Sequence, residues 1–188
     1  MLDQFIGSGT TLVEAKLLGR NAIGIDINPE AVSLSSNNLN FPSNSNSKIF
    51  IRNGDATDMF FLKNESIDFI CTHPPYADII RYSKDIQGDL SLLGEKAFLS
   101  KITRVSEEAY RVLKKGKHCA VMMGDIRRRG NVVPLGFELM QAFLDTGFYL
   151  KEIIIKEQHN CGSTKKWIAA QRQFYLLAHE YIFVFGKA

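Results

Sequence analysis

The sequence predicts a doubly wound α/β domain, a mostly parallel seven-stranded sheet with an antiparallel ending. Two observations carry this expectation. Short β-rich runs alternate with longer stretches of helical spacing, which argues for a parallel sheet covered on both faces. The final two runs lack a clear helix between them and are joined by a polar, basic connector, so they are expected to pair antiparallel.

Taken in order, the β-rich runs fall at 2–5, 22–26, 48–52, 67–71, 118–123, 148–156 and 174–185. Helical spacing occupies 10–18, 29–39, 95–115 and 134–146. In "DINPEAV", Asn28 is a suitable N-cap and Pro29 a suitable first helical residue. The third helix has the clearest pattern: Phe98, Ile102, Val105, Ala109 and Val112 recur at steps of three and four and should line one face. Lys114, Lys115 and Gly116 read as its last turn and C-cap. The polar stretch 40–48 is short enough to be a loop within one domain.

Composition sets the class. The 188 residues are 45% hydrophobic and 23% charged, which suits one soluble globular domain with a core that needs no disulfides. Three irregularly spaced cysteines, Cys71, Cys119 and Cys161, and no signal peptide fit a reducing, cytoplasmic setting. No apolar run approaches the roughly 20 residues of a membrane span. Charge is uneven: residues 1–94 hold 7 Lys and Arg against 11 Asp and Glu, whereas 95–188 hold 16 against 9. An acidic half suits a cationic ligand and a basic half a polyanion, although solvated helix faces would produce the same split.

Chemistry is expected at the carboxyl ends of the strands. The first run ends in "DQFIGSGTT", where Gly7 and Gly9 permit a tight turn and close approach by a ligand. No Lys follows the second glycine, so this is no P-loop; Leu12 fills the third glycine position of a dinucleotide fingerprint. Asp26 ends the second run, where a carboxylate can accept from ribose hydroxyls. Asp55 follows the third and is placed to accept from an adenine amine. Either acid also suits an ordinary turn or cap. Together they favour an adenosine-type cofactor without a phosphate cradle.

After the fourth run comes "CTHPPY". With "DQFIGSGTTLVEAKLLGRNAIGIDINPEAV", it resembles the S-adenosylmethionine-dependent amino-methyltransferases of DNA, whose loops read D-P-F-x-G-S-G-T-T and (D/N/S)-P-P-(Y/F/W). The likeness spans nearly the whole chain and implies a Rossmann-like methyltransferase fold. It also implies methyl transfer to adenine N6 or cytosine N4. By this resemblance the cofactor lies against Asp3, Phe5, Gly7, Gly9, Thr10, Thr11, Asp26, Ile27, Asp55 and Ala56. His73, Pro74, Pro75 and Tyr76 form the catalytic loop.

The turn suits that reaction. An exocyclic amine is a poor nucleophile because its lone pair is delocalised into the ring, and acceptors on its N–H groups help pull it toward a tetrahedral shape. Two prolines fix φ and remove competing N–H donors. The resemblance gives one amine hydrogen to the Pro74 carbonyl and the other to the side chain at 73, with Tyr76 stacking on an unstacked base. At 73 the family's Asp, Asn or Ser is replaced by His, which accepts only when neutral. With an ordinary pKa of about 6.5, His73 predicts activity that falls with pH through that value. Methylation at cytosine C5 would need a thiolate; Cys71 lies inside a strand run and reads as a core residue. The pairs His118–Cys119 and His159-x-Cys161 lack metal-site spacing, so no metal is expected.

DNA is the expected partner, with RNA as the alternative; a homodimer or a complementing subunit is the further partner considered. Arg127, Arg128 and Arg129, and Lys165, Lys166 and Trp167, are the candidate nucleic-acid contacts. Segment 77–94 reads as a mobile substrate loop. One catalytic domain is expected over 1–188, without the upstream segment and separate target-recognition domain that the motif order implies. The expected setting is restriction–modification. Methylation of RNA bases or protein glutamines by the same fold, and a non-catalytic methyltransferase-like domain, are the alternatives.

Overall fold

A computed structural model describes residues 1–159 and 175–188. Seven strands form one sheet: β1 (Leu2–Asp3), β2 (Ala22–Asp26), β3 (Ile49–Asn53), β4 (Ile67–Thr72), β5 (Leu113–Met123), β8 (Tyr149–Glu157) and β9 (His179–Gly186). Two short strands, β6 (Ile126–Arg128) and β7 (Asn131–Val133), pair separately. The spatial order of the main sheet is β3-β2-β1-β4-β5-β9-β8. The first four junctions in this order are parallel, whereas β9 runs antiparallel to both β5 and β8. The expected architecture, antiparallel ending included, is therefore present.

Four helices cover the sheet: α1 (Thr10–Leu17), α2 (Pro29–Asn38), α3 (Glu95–Val112) and α4 (Leu135–Thr146). Helix α2 starts as its sequence dictates, with Asn28 Oδ1 accepting from the Glu30 amide at 2.9 Å and Pro29 in the first turn. The predicted face of α3 is the buried one: Phe98, Ile102, Val105, Ala109 and Val112 are all within the core. Each of the larger side chains there contributes about 1.5–3 kcal/mol relative to exposure. Leu12 is fully buried too, although no glycine stands at its position. The room comes from the sheet side, because a Cβ on Gly24 of β2 would lie 2.6 Å from Leu12 Cδ1.

Three expectations need correction. Helix α3 ends at Val112, and Lys114 and Lys115 belong to β5. The cation at its C-terminus is Lys187, whose buried Nζ donates to the Tyr110 and Leu113 carbonyls, each at 2.8 Å. Gly116, at φ +69°, sits in an irregularity of β5 where five residues advance against two of β4. Secondly, β5 starts at Leu113 rather than at the expected 118, and it is followed by the hairpin of β6 and β7. Arg129 and Gly130 make the hairpin's turn with φ +49° and +83°, the two positive values a type I′ hairpin turn requires. Thirdly, β9 starts at His179, with 175–178 irregular; 174, where that run was expected to begin, lies outside the described residues.

Candidate active site

From β1 the chain winds outward to β2 and β3, then returns to place β4 on the other side of β1. The β1 and β4 exits thus diverge, leaving the crevice where doubly wound sheets bind ligands. A cavity of about 730 Å³ occupies it, lined by the tips of β1 to β4 and by segment 77–94. That volume is in the range of small-molecule sites. Asp3, Asp26, Glu30, Asp55 and Asp89 are among the lining residues, and among the described residues no Lys or Arg lines it. The acidic wall matches the charge of the N-terminal half.

The glycine loop and the second strand tip hold each other. Asp26 Oδ2 accepts from the Gly7 amide and Oδ1 from the Asn28 amide, both at 2.9 Å. These bonds orient the carboxylate and leave lone pairs toward the cavity. Burial pushes the Asp26 carboxyl above its ordinary range, against those bonds. Asp3 is buried under the loop, with Oδ1 accepting from the Phe5 amide and from Thr72 Oγ1 of β4; burial raises its pKa as well. One oxygen of Asp55 is taken by the amide and hydroxyl of Thr57, at 2.8 Å each. Phe5, Gly7, Thr10, Thr11, Ile27 and Ala56 line the cavity with these acids. Gly9 does not. It caps α1 at φ +84°, and a Cβ there would meet Ser35 Oγ at 2.8 Å, so it serves helix packing.

The proline loop closes the opposite wall. His73, Pro74, Pro75 and Tyr76 all line the cavity. Among the described residues, no hydrogen bond ends on the Pro74 carbonyl. Tyr76 stands edge-on to His73, ring centroids 5.5 Å apart, and its hydroxyl donates to Glu180 Oε1 at 2.5 Å. Burial and that carboxylate both push the phenol far above its ordinary pKa, so it stays protonated. His73 Nε2 is 3.3 Å from the Tyr76 oxygen and 4.0 Å from Glu180. Burial lowers the His73 pKa, partly opposed by Glu180. Ala77 follows, fully buried at φ +47°, a conformation that costs a non-glycine residue about 1–2 kcal/mol.

Glu180 was not predicted as a site residue. It reaches the loop from β9, 104 residues away, and its Oε2 accepts from Lys156 of β8 at 2.6 Å. The acid inside the last apolar run, at "HEYIFVF", was its sole sequence signal.

Segment 77–94 lies over the cavity, tied down at several points. The Tyr82 carbonyl accepts from Asn28 Nδ2 at 3.1 Å, and Gly88, at φ +91°, packs so closely that a Cβ would lie 2.9 Å from Ile27 Cδ1. Arg128 is ion-paired with Asp78 of this segment and with Glu95 of α3. Arg127 donates to the Gly130 and Tyr175 carbonyls. Arg129 sits at the hairpin tip. Lys165, Lys166 and Trp167 lie outside the described residues, as does Cys161. Among the described residues no cluster of His, Cys, Asp and Glu suits a metal, and no helix is long and apolar enough to cross a membrane.

The fold is shared with known methyltransferases. An S-adenosylmethionine-dependent methyltransferase of Methanosarcina mazei superposes with a TM-score of 0.64 at 16% identity, over 99% of this chain and 91% of that one. TrmN of Thermus thermophilus gives 0.64 at 17% identity, over 100% and 43%. Another Thermus thermophilus protein, provisionally described as a DNA modification methylase, gives 0.52 at 25% identity, over 71% and 50%. This chain spans about half the length of that relative, which has also been crystallised with S-adenosyl-L-methionine. The cavity fits that cofactor: the carboxylates along its wall suit a ligand bearing a sulfonium and an ammonium. The N6/N4 DNA methylase family model matches residues 1–37 and 67–188, both motif loops included. The chain belongs to this family of S-adenosylmethionine-dependent methyltransferases.

Proposed function

We propose that the chain methylates the exocyclic amine of a DNA base, adenine N6 or cytosine N4. The observation that carries this reading is the shared cavity: the acidic strand tips and the Pro74–Tyr76 loop face one space. When bound, S-adenosylmethionine supplies a methyl group on a positively charged sulfur. Asp26 receives ribose hydroxyls; Asp3, Asp55 and the glycine loop complete its cradle. Pro74 offers its carbonyl to one amine hydrogen, His73 accepts the other, and Tyr76 packs on the base. Catalysis is then positioning and electrostatics, with no covalent enzyme intermediate. Arg127 and Arg129 on the hairpin lie in the basic half of the chain and are the proposed phosphate contacts. Arg128 acts by tethering segment 77–94 through Asp78.

The test is incubation of the purified chain with isotope-labelled S-adenosylmethionine and DNA, RNA or protein, followed by digestion and mass spectrometry. N6-methyladenine or N4-methylcytosine from DNA is expected. Label confined to RNA or to glutamine overturns the DNA reading. Label in none of the three, with the cofactor bound, overturns the catalytic one.

A further inference from the structure

We infer that Glu180 acts through Tyr76 to hold His73 in the Nε2–H tautomer, so that Nδ1 is the base that accepts the target amine's proton. The inference rests on the amine-methylation reading and adds a proton path to it. It starts from the number of protons available. Tyr76 has one hydroxyl hydrogen, and at 2.5 Å from Glu180 Oε1 that hydrogen is donated to the carboxylate. The phenol oxygen toward His73 can then only accept. His73 Nε2, 3.3 Å from it, is therefore the donor, which places the hydrogen of the neutral ring on Nε2. Nδ1 is left unprotonated. Among the described residues no hydrogen bond reaches it, and His73 lines the cavity beside Pro74.

This arrangement answers the substitution at position 73. A carboxylate or amide oxygen accepts a hydrogen bond in any state of its neighbours, whereas imidazole accepts only with the right tautomer. The buried Glu180, itself held by Lys156, imposes that tautomer across two hydrogen bonds. During transfer the nitrogen lone pair forms the N–C bond, the methyl–sulfur bond breaks, and sulfur keeps its electron pair. The nitrogen's surplus proton passes to Nδ1. The resulting imidazolium faces Glu180 at 4.0 Å, opposed by Lys156 behind it, with Tyr76 as the neutral neighbour. The side chain is 40% exposed, so the proton leaves to solvent. Glu180 is thus a positioning residue and His73 the catalytic one.

Long-range ¹H–¹⁵N spectra of the histidine-labelled protein, with and without cofactor, read the tautomer without needing turnover. The His73 signals are assigned by their loss in His73→Asn. Nε2 should be protonated and Nδ1 bare in the wild type. Glu180→Gln should mix the tautomers, lower the single-turnover plateau about 10-fold, and move the acid limb of the profile to lower pH. Tyr76→Phe, which leaves Glu180 in place, should mix the tautomers likewise. A wild-type Nδ1–H tautomer, or a pattern unchanged in both variants, overturns the inference. Absence of DNA methylation with the predicted tautomer intact would overturn the substrate reading alone.

Discussion

Asp26 Oδ2 accepts from the Gly7 amide at 2.9 Å, so the second strand tip and the glycine loop after the first form one rigid edge. The acid is oriented before any ligand arrives, and ligand binding need not order it. Two measurements on this edge follow from the geometry, with one on the end of α3 and one on His73.

Asp26→Ala removes the charged acceptor proposed for the ribose. Hydrogen bonds to a charged group are worth about 1.5–3 kcal/mol, so calorimetry should show cofactor affinity falling roughly 10- to 100-fold. Burial raises the Asp26 pKa, so its charge is lost at a higher pH than that of an ordinary aspartate. Affinity for a cationic ligand should therefore decline with acidification from above the ordinary carboxylate value. Unchanged affinity in the variant would remove Asp26 from the site.

Gly7 and Gly9 should respond differently to alanine. At Gly9 the new Cβ meets Ser35 at 2.8–2.9 Å under a φ of +84°, and overpacking adds to backbone strain. A loss of about 2–4 kcal/mol is expected in denaturant unfolding. At Gly7 nothing lies within 4 Å of the new methyl, so only the strain of about 1–2 kcal/mol applies. Its larger effect should be on cofactor affinity. Equal losses of stability would contradict this division.

Lys187→Met keeps the buried stem and deletes the ammonium that serves the Tyr110 and Leu113 carbonyls. The expected cost is about 1–3 kcal/mol, read as a fall in Tm of roughly 2–12 °C for a chain of this size. A variant as stable as the parent would show that the end of α3 needs no cation.

Burial holds the His73 pKa below its ordinary 6.5, with Glu180 pulling the other way and Lys156 adding to the lowering. The acceptor form thus survives to lower pH than in a free imidazole, and the acid limb of the single-turnover rate should fall below pH 6.5. The same sign applies to stability. The unfolded chain binds more protons between the folded pKa and 6.5, so the His73 contribution is present above 6.5 and lost as pH falls through the folded value. A limb centred at or above 6.5 would contradict the lowered pKa of His73.

How much of this was legible in the chain depended on whether the cause was local. Caps, periodic faces and strand ends are set by neighbouring residues, and Asn28, the face of α3 and the tips bearing Asp26 and Asp55 were readable. The end of α3 was not. Lys114, Lys115 and Gly116 make a good local stop, but pairing of Leu113 with Ile67 starts the strand early and Lys187 arrives from the far end of the chain. Arg128 looked like a phosphate contact because its neighbours are basic; its partners, Asp78 and Glu95, lie 50 and 33 residues away. Glu180 was hidden in the same way, because only the antiparallel return of β9 beside β5 brings it to Tyr76. Gly9 packs against α2 rather than lining the cavity, a difference that was hidden for another reason. A glycine that admits a ligand and one that admits a helix look the same in sequence.

The central claim is that the acidic crevice between β1 and β4 seats the cofactor with its sulfur toward Pro74. A crystal structure with S-adenosylhomocysteine tests it most directly. The ribose should rest on Asp26 and the sulfur should face the space between the Pro74 carbonyl and His73. A ligand bound elsewhere, or one whose sulfur points away from Pro74, would contradict the account.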